Sequence, residues 1–291
     1  MGLTKTTHQH SLKELSQLSA KARKLILESV HTAGAGHVGG PLSATDFLIT
    51  LYFDVLNIDP QQPDWSERDR FILSKGHSSI GLYVVLALRG YFPLSELGSF
   101  DQIDSRLQGH PDMTKLPGLD MSTGSLGQGL SPGLGMALGA RLKGATFHTW
   151  VMLGDGEIQE GQVWEAAFVA SRYELDNLTA VLDYNRLPQF GWPSEKGLTR
   201  DRPIDDPDAK FRAFGWHVVE CDGHDHGSIR SAVQEALNHA KQPTCIVAHT
   251  IKGKGVSFME GDFNWHAKAP DEEQLSAALR ELSRGADSAD G

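Results

Sequence analysis

Leu12, Leu15, Leu18, Ala22, Leu25 and Ile26 recur at three- and four-residue steps, which predicts an amphipathic helix running to His31 and ending near Gly34 and Gly36. A second helical pattern covers 43–56, with Ser43 as its expected N-cap and Pro60 beyond its end. The rhythm then changes. Apolar runs at 70–74, 149–153, 178–182, 216–220 and 244–248 read as buried strands, with helical patterns at 80–89, 130–143, 163–173 and 228–240 between them. Such alternation predicts an α/β fold, a doubly wound and mostly parallel sheet with helices on both faces. Ligands of such sheets gather beyond the carboxyl ends of the strands, so the residues after each apolar run are the first candidates for chemistry.

With 291 residues and 40% hydrophobic content, the chain is expected to form one large domain over 12–282, after a flexible leader at 1–11. A terminal helix is expected at 271–282 and a disordered tail at 283–291. The net charge of −10 and the lack of basic runs make nucleic acid and anionic membrane surfaces unexpected partners. No apolar leader or stretch of about 18 apolar residues stands out, so a cytoplasmic location is expected. Cys221 and Cys245 lie far apart in apolar runs and read as buried thiols rather than a disulfide or a metal site.

Two strand ends carry oxygen-bearing side chains. The second predicted strand ends in Gly154-Asp155-Gly156 and the third in Asp183-Tyr184-Asn185, with one helix between. Mg²⁺ takes about six oxygens, usually one or two carboxylates completed by phosphate and water, so Asp155, Asn185 and the Leu187 carbonyl suit a metal-bridged diphosphate. Gly-Asp-Gly alone is an ordinary turn, and the glycines of 123–138 alone would fit a closely packed helix. The histidines add a second signal: 13 histidines and 31 glycines would give about one or two Gly-His pairs by chance, yet there are four, ending at His37, His77, His110 and His224. Neutral imidazoles converging on a cleft can bind sugar hydroxyls and move protons.

Taken together these motifs resemble the transketolase family over about residues 12–270. The Gly-Asp-Gly and Asn spacing is similar to the thiamine diphosphate signature, whose usual Asn-Asn ending is Tyr184-Asn185 here. Thr123-Gly-Ser-Leu-Gly-Gln-Gly129 resembles the family loop that lies against the cofactor, with Ser125 in place of proline and Gly124 and Leu126 as the contact positions. Ala35-Gly-His-Val-Gly-Gly-Pro41, Ser74-Lys-Gly-His77, Gln108-Gly-His-Pro-Asp112 and Asn264-Trp-His266 are similar to the family's histidine motifs. The resemblance implies substrate and proton-transfer roles for His37, His77, His110 and His266, with His77 and His266 also touching the cofactor. It implies cofactor contacts at Gly154, Asp155, Gly156, Glu160 and Asn185. Glu160, with Glu165 in the same helix, is implied to sit where two active sites meet. It gives His224 no role, and a surface turn is expected there.

The activity so implied is transfer of a two-carbon ketol unit from a ketose, a phosphorylated one being favoured, to an aldose by thiamine diphosphate with Mg²⁺, Ca²⁺ or Mn²⁺ as substitutes. In relatives the groups that activate the aminopyrimidine and grip the substrate phosphate lie in a following domain. The chain is therefore expected to be an N-terminal subunit that works only with a separately encoded C-terminal partner in a heterotetramer of two plus two. Alternatives are a thiamine enzyme using a 2-oxo acid, similar to deoxyxylulose-phosphate synthase, and a non-catalytic regulatory subunit. A dinucleotide enzyme is disfavoured because no Gly-x-Gly-x-x-Gly follows the first strand. Val38, Pro188 and Phe190 depart from the family pattern near the pocket, which leaves the sugar open and admits a sulfonated one.

Overall fold

A computed structural model describes residues 10–189, 192–194, 197–199 and 204–288. Helix α1 (Leu12–Ala33) starts at a capping box, in which the Ser11 hydroxyl accepts from the Glu14 N–H and the Glu14 carboxylate accepts from the Ser11 N–H. It ends on Gly34 at φ 70, a left-handed position that a residue without Cβ adopts freely. Helix α2 (Gly39–Thr50) is buried along its whole length and continues into a π-helical turn, Leu51–Val55. The predicted Ser43 cap is therefore incorrect: the helix begins at Gly39, because Pro41 falls in the first turn, where no backbone N–H is needed. Ser43 lies inside the helix and spends its hydroxyl on Asp183.

The remaining elements include every predicted strand and helix in the expected order, together with an antiparallel strand pair at 192–194 and 197–199 and a short helix at 207–213 that the sequence pattern did not predict. They are β1 (Arg70–Leu73), α3 (Ser79–Arg89), α4 (Leu130–Lys143), β2 (Thr149–Gly154), α5 (Gly161–Arg172), β3 (Leu178–Tyr184), an antiparallel pair β4 (Trp192–Ser194) and β5 (Gly197–Thr199), α6 (Pro207–Ala213), β6 (His217–Asp222), α7 (His226–Asn238), β7 (Thr244–His249) and α8 (Glu272–Ser288). The main sheet runs β1-β2-β3-β7-β6 with every pairing parallel. Successive strand residues alternate between two cores, as side chains on a pleated strand must. Phe71, Leu73, Trp150, Met152, Val181 and Ile246 pack with α1, α2, α3 and α7. Ile72, Val151, Leu153, Ala180, Leu182 and Val247 pack with α4, α5 and Phe211 of α6 on the opposite face. Each fully buried Leu, Ile or Val contributes about 1.5–3 kcal/mol, and burial on both faces explains why these strands read as unbroken apolar runs.

Helix α8 extends past residue 282 to Ser288, so the disordered tail expected from 283 is corrected: Ser283 accepts a hydrogen bond from Lys24 Nζ at 2.9 Å, and 289–291 lie outside the described residues. Of the expected leader, 1–9 lie outside the described residues, while His10 is tied to Asp54 through its backbone N–H and ring. Cys221 and Cys245 are buried free thiols, the first pushed up to about 12 by burial and the nearby Asp222. Among the described residues no helix is long and apolar enough to cross a membrane.

Candidate active site

The β2–β3 register sets Gly154 opposite Asp183, so Asp155, one residue further along, and Asn185, two residues further along, leave neighbouring strands at the carboxyl end of the sheet. Asp155 is 4% exposed; its carboxylate accepts from the Gly156 N–H at 2.7 Å and from the Arg186 N–H at 2.5 Å. Asn185 turns its oxygen to the Leu187 N–H at 3.1 Å and its amide nitrogen to Asp183 at 3.4 Å. Arg186, between Asn185 and Leu187, is left-handed at φ 64.

Both side chains border a cavity of about 220 Å³, and so do His37, His77, His110, His266, Gly124, Leu126, Gly154, Gly156 and Leu187. These positions come from the loop before α2, the β1 end, two loops, and the segment after β7, so the fold gathers groups that the sequence scatters. Glu160 stands apart. It is exposed at the start of α5 and does not border the cavity, although the glycine loop rests on it: a Cβ on Gly127 would fall 2.7 Å from the Glu160 Cβ. Glu165 is also exposed. Of the departures near the pocket, Pro188 borders the cavity and Phe190 lies outside the described residues.

His37, His77 and His266 form a triangle with ring centroids 5.1, 5.3 and 5.4 Å apart. Burial lowers all three pKa values, and neighbouring cations lower them further. His77 also feels Lys75, and His266 is brought to about 3 by burial, Lys252, His37 and Lys75. The cluster is therefore neutral at pH 7, and each ring offers one N–H donor and one acceptor.

Four charged residues that the motifs did not single out organise this pocket. Lys75 and Asp183 form an ion pair with both side chains at most 2% exposed. Burial alone would raise the Asp183 carboxyl, but Lys75 and the Ser43 and Thr250 hydroxyls outweigh it and hold it below its ordinary value. Glu157 joins three segments, accepting from the Ser74 hydroxyl of the β1 end, the Gly127 N–H at 2.9 Å and the Gly154 N–H at 3.0 Å. Lys252 Nζ donates to the Leu187 carbonyl at 2.5 Å and to His266 Nδ1 at 2.7 Å. A charged residue directly after an apolar run, as Lys75 and Asp183 are, was the available signal, since a buried charge requires a partner.

The donor set fits a divalent ion beside a diphosphate. Burial, then the charge of Asp183, raises the Asp155 carboxyl to about 6 against the pull of its backbone donors and Lys252, as expected for a buried carboxylate short of positive charge. Leu187 keeps a second carbonyl lone pair beside the one that Lys252 uses. Among the described residues no three His, Cys, Asp or Glu side chains cluster for a metal, so an ion here would draw on amide and backbone oxygens and on a bound anion. Glycines keep the walls open to such an anion: a Cβ on Gly124 would lie 3.3 Å from the His110 ring, and one on Gly156 3.2 Å from Pro188.

The sequence matches the family described as transketolase, thiamine diphosphate binding domain, over residues 15–288. It is similar to a 6-deoxy-6-sulfo-D-fructose transketolase subunit of Clostridium sp. (strain MSTE9), 45% identical over 90% of this chain and 94% of that protein. One of the apulose-4-phosphate transketolase subunits of Phocaeicola vulgatus is 41% identical over 91% of this chain and 92% of its own length. Among solved structures, the transketolase of Campylobacter jejuni superposes with a TM-score of 0.84 at 30% identity, covering 93% of this chain and 43% of that one.

Proposed function

Because the chain belongs to the transketolase thiamine diphosphate-binding family, we propose that it is the N-terminal subunit of a split transketolase, an enzyme transferring a two-carbon ketol unit from a ketose to an aldose. Its similar relatives named as subunits match it almost end to end, whereas it spans less than half of the single-chain transketolase. The observation that carries the reading is the convergence of four imidazoles over the Asp155 and Asn185 pair in one cavity.

Thiamine diphosphate, when bound, supplies a nucleophilic carbon and an electron sink for cleavage of a carbon–carbon bond. Asp155, Asn185 and the Leu187 carbonyl would hold Mg²⁺, or Ca²⁺ or Mn²⁺ in its place, against the diphosphate. Gly124, Leu126, Gly154, Gly156, His77 and His266 would face the cofactor. His37, His77, His110 and His266 bind the hydroxyls of the sugar, and the neutral rings of His37, His77 and His266 exchange protons with those hydroxyls near pH 7. The anionic tails in the names of the similar subunits, a sulfonate and a phosphate, support a ketose of that class as donor. The enzyme is completed by a separately encoded C-terminal partner, two copies of each in the cytoplasm, with Glu160 at the contact between active sites.

Purified chain alone is expected to show no ketol transfer, and the co-expressed complex to show it with one of a panel of phosphorylated and sulfonated ketoses. Activity of the lone chain would remove the reading. The Asp155 environment adds a pH dependence. A carboxyl raised to about 6 must lose its proton before it ligates a cation, so Mg²⁺ affinity measured by calorimetry on the complex should fall by about tenfold per unit below pH 6 and level off above it. The ligand-free chain responds in the opposite sense. Its folded state keeps a proton that the unfolded state releases, so this group's contribution to stability declines as pH rises from about 4 to about 6.

A further inference from the structure

His224 follows the end of β6, on the far side of the β7 segment from the cavity, and belongs to none of the groups assigned above. His224 does lie in a turn, as expected, but its side chain is not a surface group. Its side chain is 12% exposed and fixed at both nitrogens, with Nδ1 2.8 Å from Asp46 and Nε2 accepting from the Ile251 N–H at 2.8 Å. These partners set the tautomer, because a carboxylate only accepts and an amide N–H only donates: Nδ1 carries the proton. Asp46 is itself held by Arg23 through two contacts of 3.0 and 2.5 Å, and Arg23, His224 and their hydrogen bonds keep it ionised despite complete burial.

The residue after Ile251 is Lys252. Its stem passes under Gly39, where a Cβ would fall 2.8 Å from Lys252 Cγ, and the Gly253 N–H donates to the Gly39 carbonyl at 3.0 Å. The backbone on either side of Lys252 is thus anchored, by His224 before it and by α2 after it. Lys252 Nζ in turn donates to His266 Nδ1 at 2.7 Å, and an ammonium has no acceptor to offer, so His266 must carry its proton on Nε2.

We propose that His224 is a positioning residue for the active site: by accepting from Ile251 it fixes Lys252, and through Lys252 it sets the tautomer and neutral state of His266. The inference rests on the reading of His266 as a proton-handling group. Ile251 is 38% exposed, so its amide can turn to water when His224 is lost, and Asp46 keeps Arg23. The bond therefore contributes little to stability and much to where Lys252 lies. The charged and titratable groups facing His266 are Lys252, His37, His77 and Lys75, and only Lys252 depends on His224.

Three variants separate the effects. His224→Leu removes both contacts, His224→Asn retains a short amide for Asp46 but cannot reach Ile251, and His224→Gln carries a longer amide whose oxygen can accept from Ile251. Histidine titration of the isolated chain by NMR, with His266 assigned through His266→Gln, is the deciding measurement. In the parent chain His266 stays neutral to about pH 3. In His224→Leu and His224→Asn its midpoint should rise by at least about one pH unit as the ammonium withdraws, with a normal thermal melt, and His224→Gln should restore the parent value. An unmoved His266 midpoint in a folded His224→Asn chain overturns the proposal.

In the complex with its partner, His224→Asn should lower kcat by about 30-fold throughout pH 6–8, because the ring stays neutral there and what is lost is its fixed tautomer and position, with the donor KM changed by less than about twofold. A shifted midpoint with an unchanged kcat profile leaves the link from His224 to His266 standing. It removes instead the catalytic reading of His266.

Discussion

Asp155→Asn should abolish most ketol transfer in the complex, by on the order of 10²–10³-fold, while the ligand-free chain stays folded. The substitution removes the carboxylate that stands beside Asn185 and that, on the proposed function, would offer its charge to a divalent ion. The amide also sets an NH₂ against a backbone donor, from Gly156 or Arg186, that the carboxylate now accepts from. Stability changes little because two effects oppose each other. Losing a buried charge whose pKa stands near 6 relieves the fold at pH 7, and losing one acceptor costs about 1–2 kcal/mol. Calorimetry with Mg²⁺ and thiamine diphosphate, beside a thermal melt, separates the two. Full activity in a folded variant would refute the assignment of Asp155 to the ion.

Lys75→Met should destabilise the ligand-free chain by about 3–5 kcal/mol at pH 7, the range expected when one partner of a buried ion pair is removed. Asp183 would keep the Ser43 and Thr250 hydroxyls and Asn185, but no cation in contact. The sign of the pH dependence follows. In the parent chain the depressed Asp183 pKa contributes stability above the unfolded value, and that contribution fades as pH falls. In Lys75→Met the same carboxyl is raised and takes up a proton, so the gap between the two chains should narrow from pH 7 to pH 4. Urea melts at both pH values test this, and Lys75→Met with Asp183→Leu should recover much of the loss. A single variant as stable as the parent would mean that Asp183 is neutral already.

Local pattern carried the strands and the strand-end chemistry, since runs such as 178–182 are buried on both faces and the residues just past them must turn out of the sheet. The order of the strands was not legible. β7, late in the chain, inserts between β3 and β6, a choice made by contacts far apart in sequence. The same holds for the charged residues. Nothing near His224 announces Asp46, a residue of α2, or the amide of Ile251. Ser43 misled because a hydroxyl before an apolar run is a good cap in isolation, and its partner Asp183 lies on a strand that arrives much later. Resemblance to a family supplied what spacing could not: it set His110 apart from His224 among the Gly-His pairs, and it singled out His266, which no periodicity distinguishes from a surface histidine.

The left-handed turn at Arg186 has one more implication. Its torsion swings the chain so that the Asn185 side chain and the Leu187 carbonyl border one cavity, and the Arg186 N–H is already fastened to Asp155. The curl is thus built before any cation or vitamin arrives, and docking need not freeze a floppy segment. A glycine there would ease the twist yet loosen the empty loop, trading a tighter grip for a softer one.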